Sequence, residues 1–143
     1  MDSSMRYSAA QVQACRDEIA AQIRAYRDLV GAASKASGMS LTRIDAALAA
    51  FEPAFFNNLL IALDARFAGR PNDRGPLAEA RTLAASLMHN GGVLALDPAI
   101  PYDADDSLLR IDVGERIALN ADDFETLCAA FLAAVENSPT GRA

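Results

Sequence analysis

Tryptophan is absent from this chain, and Lys35 is its only lysine, so arginine carries nearly all of the positive charge. His89 is the only histidine, and Cys15 and Cys128 are the only cysteines. That excludes a Cys/His cluster with zinc spacing. No Gly-rich phosphate loop follows a strand-like run, and no Gly-x-Ser-x-Gly elbow occurs. The acidic run from Asp103 to Asp106 lacks two requirements of a calcium loop: Leu108 stands where the sharp turn needs Gly, and no Glu closes the twelfth position. No metal and no cofactor are therefore expected. An excess of positive charge is lacking too. The formal net charge is −6, which argues against a general electrostatic grip on nucleic acid while leaving room for a local basic patch. Residues Met1 to Ser8 lack the charged-then-apolar pattern of a signal peptide, and no run reads as long and clean enough to span a bilayer. A cytoplasmic location with no membrane association is the expectation. The two distant cysteines, both at apolar helical positions, read as buried reduced thiols.

What the chain does have is helical patterning. With 143 residues, 52% hydrophobic and 22% charged, it has the length and composition of one globular domain over residues 1–143, with frayed tails at 1–7 and 138–143. Ser8 is placed to cap a helix running to about Ser37 and closed by Gly38, with Val12, Cys15, Ile19, Ile23, Tyr26 and Val30 on one nearly heptad-like stripe. Ser40 is placed to cap a second helix, with Leu41, Ile44, Leu48 and Phe51 on one face, and Pro53 predicts a break or kink near Glu52. Ala54 to Ala68 is apolar almost all round and belongs at the centre of a bundle, and at least one of Asn57 and Asn58 is expected to hydrogen-bond to a neighbouring loop. Pro76 opens a helix whose inward face is Leu77, Ala80, Ala84, Leu87 and Met88, and Gly91-Gly92 closes it. Val93 to Leu96 reads as strand-like. Leu108 to Val113 and Glu115 to Leu119, flanking Gly114-Glu115, predict an antiparallel hairpin. Asn120 caps a last helix carrying Phe124, Leu127, Cys128, Phe131, Leu132 and Val135. The fold class expected is mainly α: a bundle of about five helical segments with a small antiparallel β-hairpin before the C-terminal helix.

From Phe51 to about Val135 the order of four motifs resembles a family of uncharacterised bacterial proteins. The motifs are Phe51-Glu52-Pro53-Ala54-Phe55-Phe56-Asn57-Asn58, Gly75-Pro76-Leu77-Ala78-Glu79-Ala80-Arg81, Asn90-Gly91-Gly92-Val93, and Val113-Gly114-Glu115-Arg116-Ile117 with Asp122-Asp123-Phe124. That resemblance implies a fold and no established activity. Arg81 to Gly92, followed by a hairpin and a terminal helix, is similar to the end of bacterial HEPN-type helical domains, whose RNA-cleaving members carry an Arg-x4-6-His motif, often Arg-Asn-x-x-x-His. Here Ala84 and Ala85 stand where that motif has Arg and Asn, and Arg81 precedes His89 with seven residues between them. In a straight helix their Cα atoms lie roughly 12 Å apart along the axis.

Two candidate sites follow. His89 titrates near neutrality when unperturbed, so it is the candidate general acid/base, with Arg81 of the same or a second chain holding a phosphate. Against that stands its place in the last turn of a helix, where a histidine simply complements the exposed carbonyls and the dipole. Arg70 and Arg74, with Arg66 and Arg81 near in sequence, flank a helix N-terminus and are the candidate anion-binding residues. The same arginines, diluted by Asp64, Asp73 and Glu79, also read as a solvated charged loop. The role expected is a non-catalytic helical interaction module, homodimeric through helix one and the central apolar helix, with loss of assembly when Ile19 or Ile23 is charged. A HEPN-like RNase or nucleic-acid binder using His89 and Arg81 is the rival, and a small-anion sensor near Pro76 is the third reading.

Overall fold

The computed structural model describes residues 7–35, 40–70 and 74–137. Four α-helices are present among them: α1 (Ala9–Ser34), α2 (Ser40–Arg66), α3 (Pro76–His89) and α4 (Ala121–Glu136), with a 3-10 turn at Ala104–Asp106 between the last two. They enclose one apolar core, in which Val12, Cys15, Ile19, Ile23, Phe56, Leu60, Phe67, Leu77, Leu83, Phe124, Leu127 and Phe131 are buried together.

The N-terminal helix starts as its sequence dictates. The Ser8 hydroxyl accepts from the Gln11 amide while the Gln11 side chain accepts from the Ser8 amide, satisfying two of the donors that a helix start leaves open. The helix ends at Ser34 and is capped by Lys35; the expected stop at Gly38 lies outside the described residues. Tyr7 belongs to the fold and not to a frayed tail: its ring meets Phe67 edge-on at 4.8 Å, and its hydroxyl donates to the Ala68 carbonyl. Residues 1–6 and 138–143 lie outside the described residues.

Of the break or kink expected at Pro53, the break does not occur: two expected helical segments are one helix of 27 residues. A proline in a helix interior costs about 3 kcal/mol. Contacts on both sides of it anchor the two halves to the rest of the fold. Phe51 and Phe55 stack on each other at 5.3 Å and on Tyr26 of α1 at 6.4 and 5.8 Å, and the Glu52 carboxylate accepts from the Ala121 amide at the start of α4. Ser40 is itself the first helical residue of α2, and the side chain of Leu41 lies outside the described ones.

The β-hairpin does not exist either. Among the described residues there is no strand, only an isolated antiparallel bridge between Val93 and Arg116. The donors that a hairpin ladder would use are committed elsewhere: the amides of Leu108 and Leu109 to Glu79, that of Arg110 to Ser107 Oγ, and that of Asp112 to the Glu115 side chain. Arg110 adopts φ 57°, outside the extended region. The half around Gly114 pairs instead with the segment after α3, through Leu94 N to Glu115 O, Gly114 N to Leu94 O and Ile117 N to Gly92 O.

Helix lengths define the overall outline. At 26 and 27 residues, α1 and α2 are much longer than α3 and α4 at 14 and 16, a surplus of about 15 Å at 1.5 Å per residue. For α2 that surplus lies before the start of α4, whereas α1 runs past α4 at both ends, since Arg16 also pairs with Glu136 in the last turn of α4. Arg27 of α1 bonds Asp122 and Glu125 in the first turns of α4, and Glu52 of α2 bonds the first residue of α4. The part of α1 after Arg27 and the part of α2 before Glu52 therefore run past the end of α4 as a two-helix arm.

Candidate functional site

The arm carries apolar side chains that the described fold leaves uncovered or half-covered. No described side chain from Arg43 to Phe55 is buried, whereas Phe56, Leu60 and Leu63 farther along α2 are. On the α1 side only Ala33 is buried beyond Tyr26. Leu29 is 49% exposed and Phe51 43%, with Ile44, Leu48 and Val30 half-buried beside them. The helix over Arg43–Arg66 is long and apolar enough, by length and composition alone, to cross a membrane, and 17% of its most apolar stretch is buried. The expectation that no run is long and clean enough to span a bilayer is therefore not met on length and composition. The helix's hydrogen bonds from Glu52 and Asn57 into the C-terminal half of the chain tie it to the bundle. Ile19 and Ile23, expected to serve assembly, are buried in the chain's own core. Their stripe is used up by α2 and α4, so charging them would break the fold before it reported on any partner.

The second candidate lies at the other face. Gly75, at φ 55°, precedes Pro76, and α3 then runs to His89 with Asn90 as its C-cap. The side chain of Ser86 holds the following segment against the helix, donating to the Ala95 carbonyl at 3.2 Å and accepting from the Ala95 amide at 3.0 Å. That brings Asp97, Ala99 and Ile100 beside α3 and α2. The resulting cleft, about 450 Å³, is lined by Arg81, Ala84, Ala85, Met88 and His89 of α3, by Ile61, Asp64 and Ala65 of α2, and by Asp97. Met88, expected inside, is 58% exposed. Arg81 and His89 thus share one cleft, as the spacing along one helix face allows. Two carboxylates share it with them. Asp64 is paired with Arg70 at 2.7 Å, and Asp97 accepts from the Ala99 amide at 2.9 Å. An entering phosphate would meet both acids. Among the described residues, no group of three or more His, Cys, Asp and Glu side chains is placed to hold a metal ion.

Arg70 and Arg74 are not brought together at one anion site. The Arg70 side chain is fully buried, donating to Asp64 and to the Leu77 carbonyl at 3.0 Å, with its guanidinium 4.8 Å from the centre of the Phe131 ring. It ties α2 to the start of α3. Arg74 is exposed and lines a cavity of about 200 Å³ with Glu79, Asp103 and Asp106, so an anion there faces three carboxylates and one guanidinium.

The polar groups that organise the molecule are others. Glu79 is 3% exposed, and its carboxylate accepts from Ser107 Oγ (2.8 Å), Leu108 N (2.9 Å) and Leu109 N (3.1 Å). Asn57 donates to the Ile117 carbonyl and accepts from the Leu119 amide, the bond to a neighbouring loop that its position in an apolar helix required. Glu79 escaped sequence reasoning, which took it for a surface acid. The signal was present: Glu79, Thr82 and Ser86 recur at helical spacing, and all three are buried. Of this polar stripe, Glu79 and Ser86 bond irregular backbone instead of another helix.

Both cysteines are buried free thiols. Burial, and after it the neighbouring Cys15, pushes Cys128 up to about 12, and burial also raises Cys15. Neither is poised as a nucleophile, since only the thiolate reacts.

The chain is a small all-helical domain, and no family model, no curated protein and no solved structure matches it.

Proposed function

We propose that this chain is a non-catalytic helical interaction module whose working surface is the two-helix arm, α1 after Arg27 with α2 before Glu52. One observation carries this: an apolar half-helix, Arg43 to Phe55, in which no side chain is buried. Ile44, Leu48 and Phe51 share one face of it, and apolar surface left uncovered in this way marks an interaction site. Among the described residues nothing supplies an interior for it. The test is a photo-crosslinking residue, p-benzoylphenylalanine, placed at the exposed Ala50 on the arm or at the exposed Ala129 on α4, in cells making the full chain. Crosslinked protein species from position 50 and none from position 129 are the expected result. An absence of crosslinks from the arm would overturn the reading.

The shared cleft of Arg81 and His89, together with the likeness to HEPN-type domains, supports a second reading as an RNase. It is weakened by Asp64 and Asp97 in the same cleft and by the spacing of the two residues. Purified protein and its His89→Ala variant, incubated with total RNA, decide between the two. No cleavage by either agrees with the interaction module, and cleavage lost only in the variant would establish the nuclease.

A further inference from the structure

We infer that residues 96–106 form a lid, hinged on two side chains of α3, that closes over the cleft of Arg81 and His89. This stands apart from the arm and does not depend on what the arm binds. Both ends of the segment are fixed. Ser86 Oγ donates to the Ala95 carbonyl and accepts from the Ala95 amide, and the Glu79 carboxylate holds Ser107, Leu108 and Leu109. Glu79 and Ser86 are seven residues apart on one helix, about 10 Å along its axis. The eleven residues between the two anchors would span about 36 Å if extended. The chain therefore leaves the helix and returns to it, the geometry of a compact Ω-type loop.

Between its anchors the segment is bonded only to itself. Asp97 accepts from the amides of Ala99 and Ile100, the Ile100 carbonyl from the Tyr102 amide, and Asp103 from the amides of Asp105 and Asp106. Among the described residues, no hydrogen bond joins 96–106 to any of the four α-helices. None of its side chains is buried, and only Ile100 and Tyr102 are half-buried. A segment with so few buried contacts has the low local stability from which lids are drawn. Its internal bonds, with Pro98 and Pro101 each fixing a φ angle, preserve its shape. It therefore moves as one body about Ala95 and Ser107.

Two hollows leave it room to close. Asp97, Ala99 and Ile100 wall the cleft of about 450 Å³, which Ala65 of α2 and Ala85 of α3 also line. Pro101, Tyr102, Asp103 and Asp106 line the cavity of about 200 Å³ together with Arg74. The attraction that closes the lid is electrostatic. It carries Asp97, Asp103, Asp105 and Asp106 and no basic residue. Arg74 shares the smaller cavity with Asp103 and Asp106, yet among the described residues it forms no ion pair. Glu79, the third carboxylate there, is already filled by its three donors. An inward movement pairs Arg74 with the lid carboxylates, covers Ile100 and Tyr102, and shuts water out of the cleft.

The experiment is hydrogen exchange of the full chain, read amide by amide by NMR, with Arg74→Ala alongside. The amides of Ile100, Tyr102 and Asp106 are expected to share one opening equilibrium, at least about tenfold more open than the amides of Ala95, Leu108 and Leu109. Arg74→Ala is expected to raise that opening about two- to fivefold, the range of an exposed ion pair, and to leave the anchors unchanged. In parallel, Ala65→Cys and Ala99→Cys are combined and oxidised, with Cys15 and Cys128 kept out of the reaction by burial. Both positions are exposed, so the helical circular dichroism of the variant is expected to match the parent. A disulfide within one chain, formed more slowly in added salt, is expected for this pair and none for Ala65→Cys with Ala129→Cys. Lid amides as protected as the anchors, or each exchanging at its own rate, would overturn the inference. So would an Arg74→Ala variant with unchanged exchange, or a 65–99 pair that stays reduced.

Discussion

Replacing Glu79 with alanine removes an acceptor that holds three donors at once, and its effect can be worked from the geometry. The Ser107 hydroxyl is buried with Glu79, and the amides of Leu108 and Leu109 are partly buried. Hydrogen bonds to a carboxylate contribute about 1.5–3 kcal/mol each, and an orphaned buried donor costs about 1–3 kcal/mol. Water reaches the two partly buried amides once the side chain is gone, so the sum is discounted to about 3–5 kcal/mol. For a chain this size that lowers the melting temperature by on the order of 10–15 °C. Urea denaturation followed by circular dichroism measures the loss directly. Hydrogen exchange at the amides of Leu108 and Leu109 tests whether the segment over 97–113 is released before the helices. Glu79→Gln, which keeps one acceptor but turns an NH2 group toward donors, falls between. Ser107→Ala, combined with Glu79→Ala in a double-mutant cycle, should show a coupling of about 1 kcal/mol or more. A Glu79→Ala variant within about 1 kcal/mol of the parent would refute the assignment of Glu79 as the anchor of this segment.

Pro53→Ala restores the missing helix donor in the middle of α2 and should stabilise the protein by about 1–3 kcal/mol in the same titration; a loss of stability would mean that the proline shapes the helix in a way the fold needs. The cysteines should resist Ellman's reagent at pH 8 and react only as fast as the chain unfolds. The thiol of Cys128 is held near 12 in the folded state against about 8.5 when unfolded. Its contribution to stability is therefore full below about pH 8.5 and lost as the pH rises toward 12. Alkaline titration of the unfolding midpoint should show this decline, and it should be smaller in Cys128→Ala.

Sequence alone determined where most of the helices lie and which faces they bury, because a helix is a local object and its period is written in a few neighbouring turns. The Ser8 and Asn120 capping boxes, Pro76 at the start of α3, and the stripes of α1 and α4 all depend on residues within a turn or two of one another. The tertiary structure decided what depends on distant partners. Pro53 stays inside a helix because Tyr26 and Ala121 hold both sides of it. Gly114 is not the turn of a hairpin, because Glu79, twenty-nine and thirty residues before the amides it binds, claims the donors of one arm and Leu94 claims Gly114 itself. Nor does the pattern of α2 distinguish a core helix from an interface, since both are apolar all round. Only the shorter reach of α3 and α4 shows that its second half is covered within the chain and its first half is not.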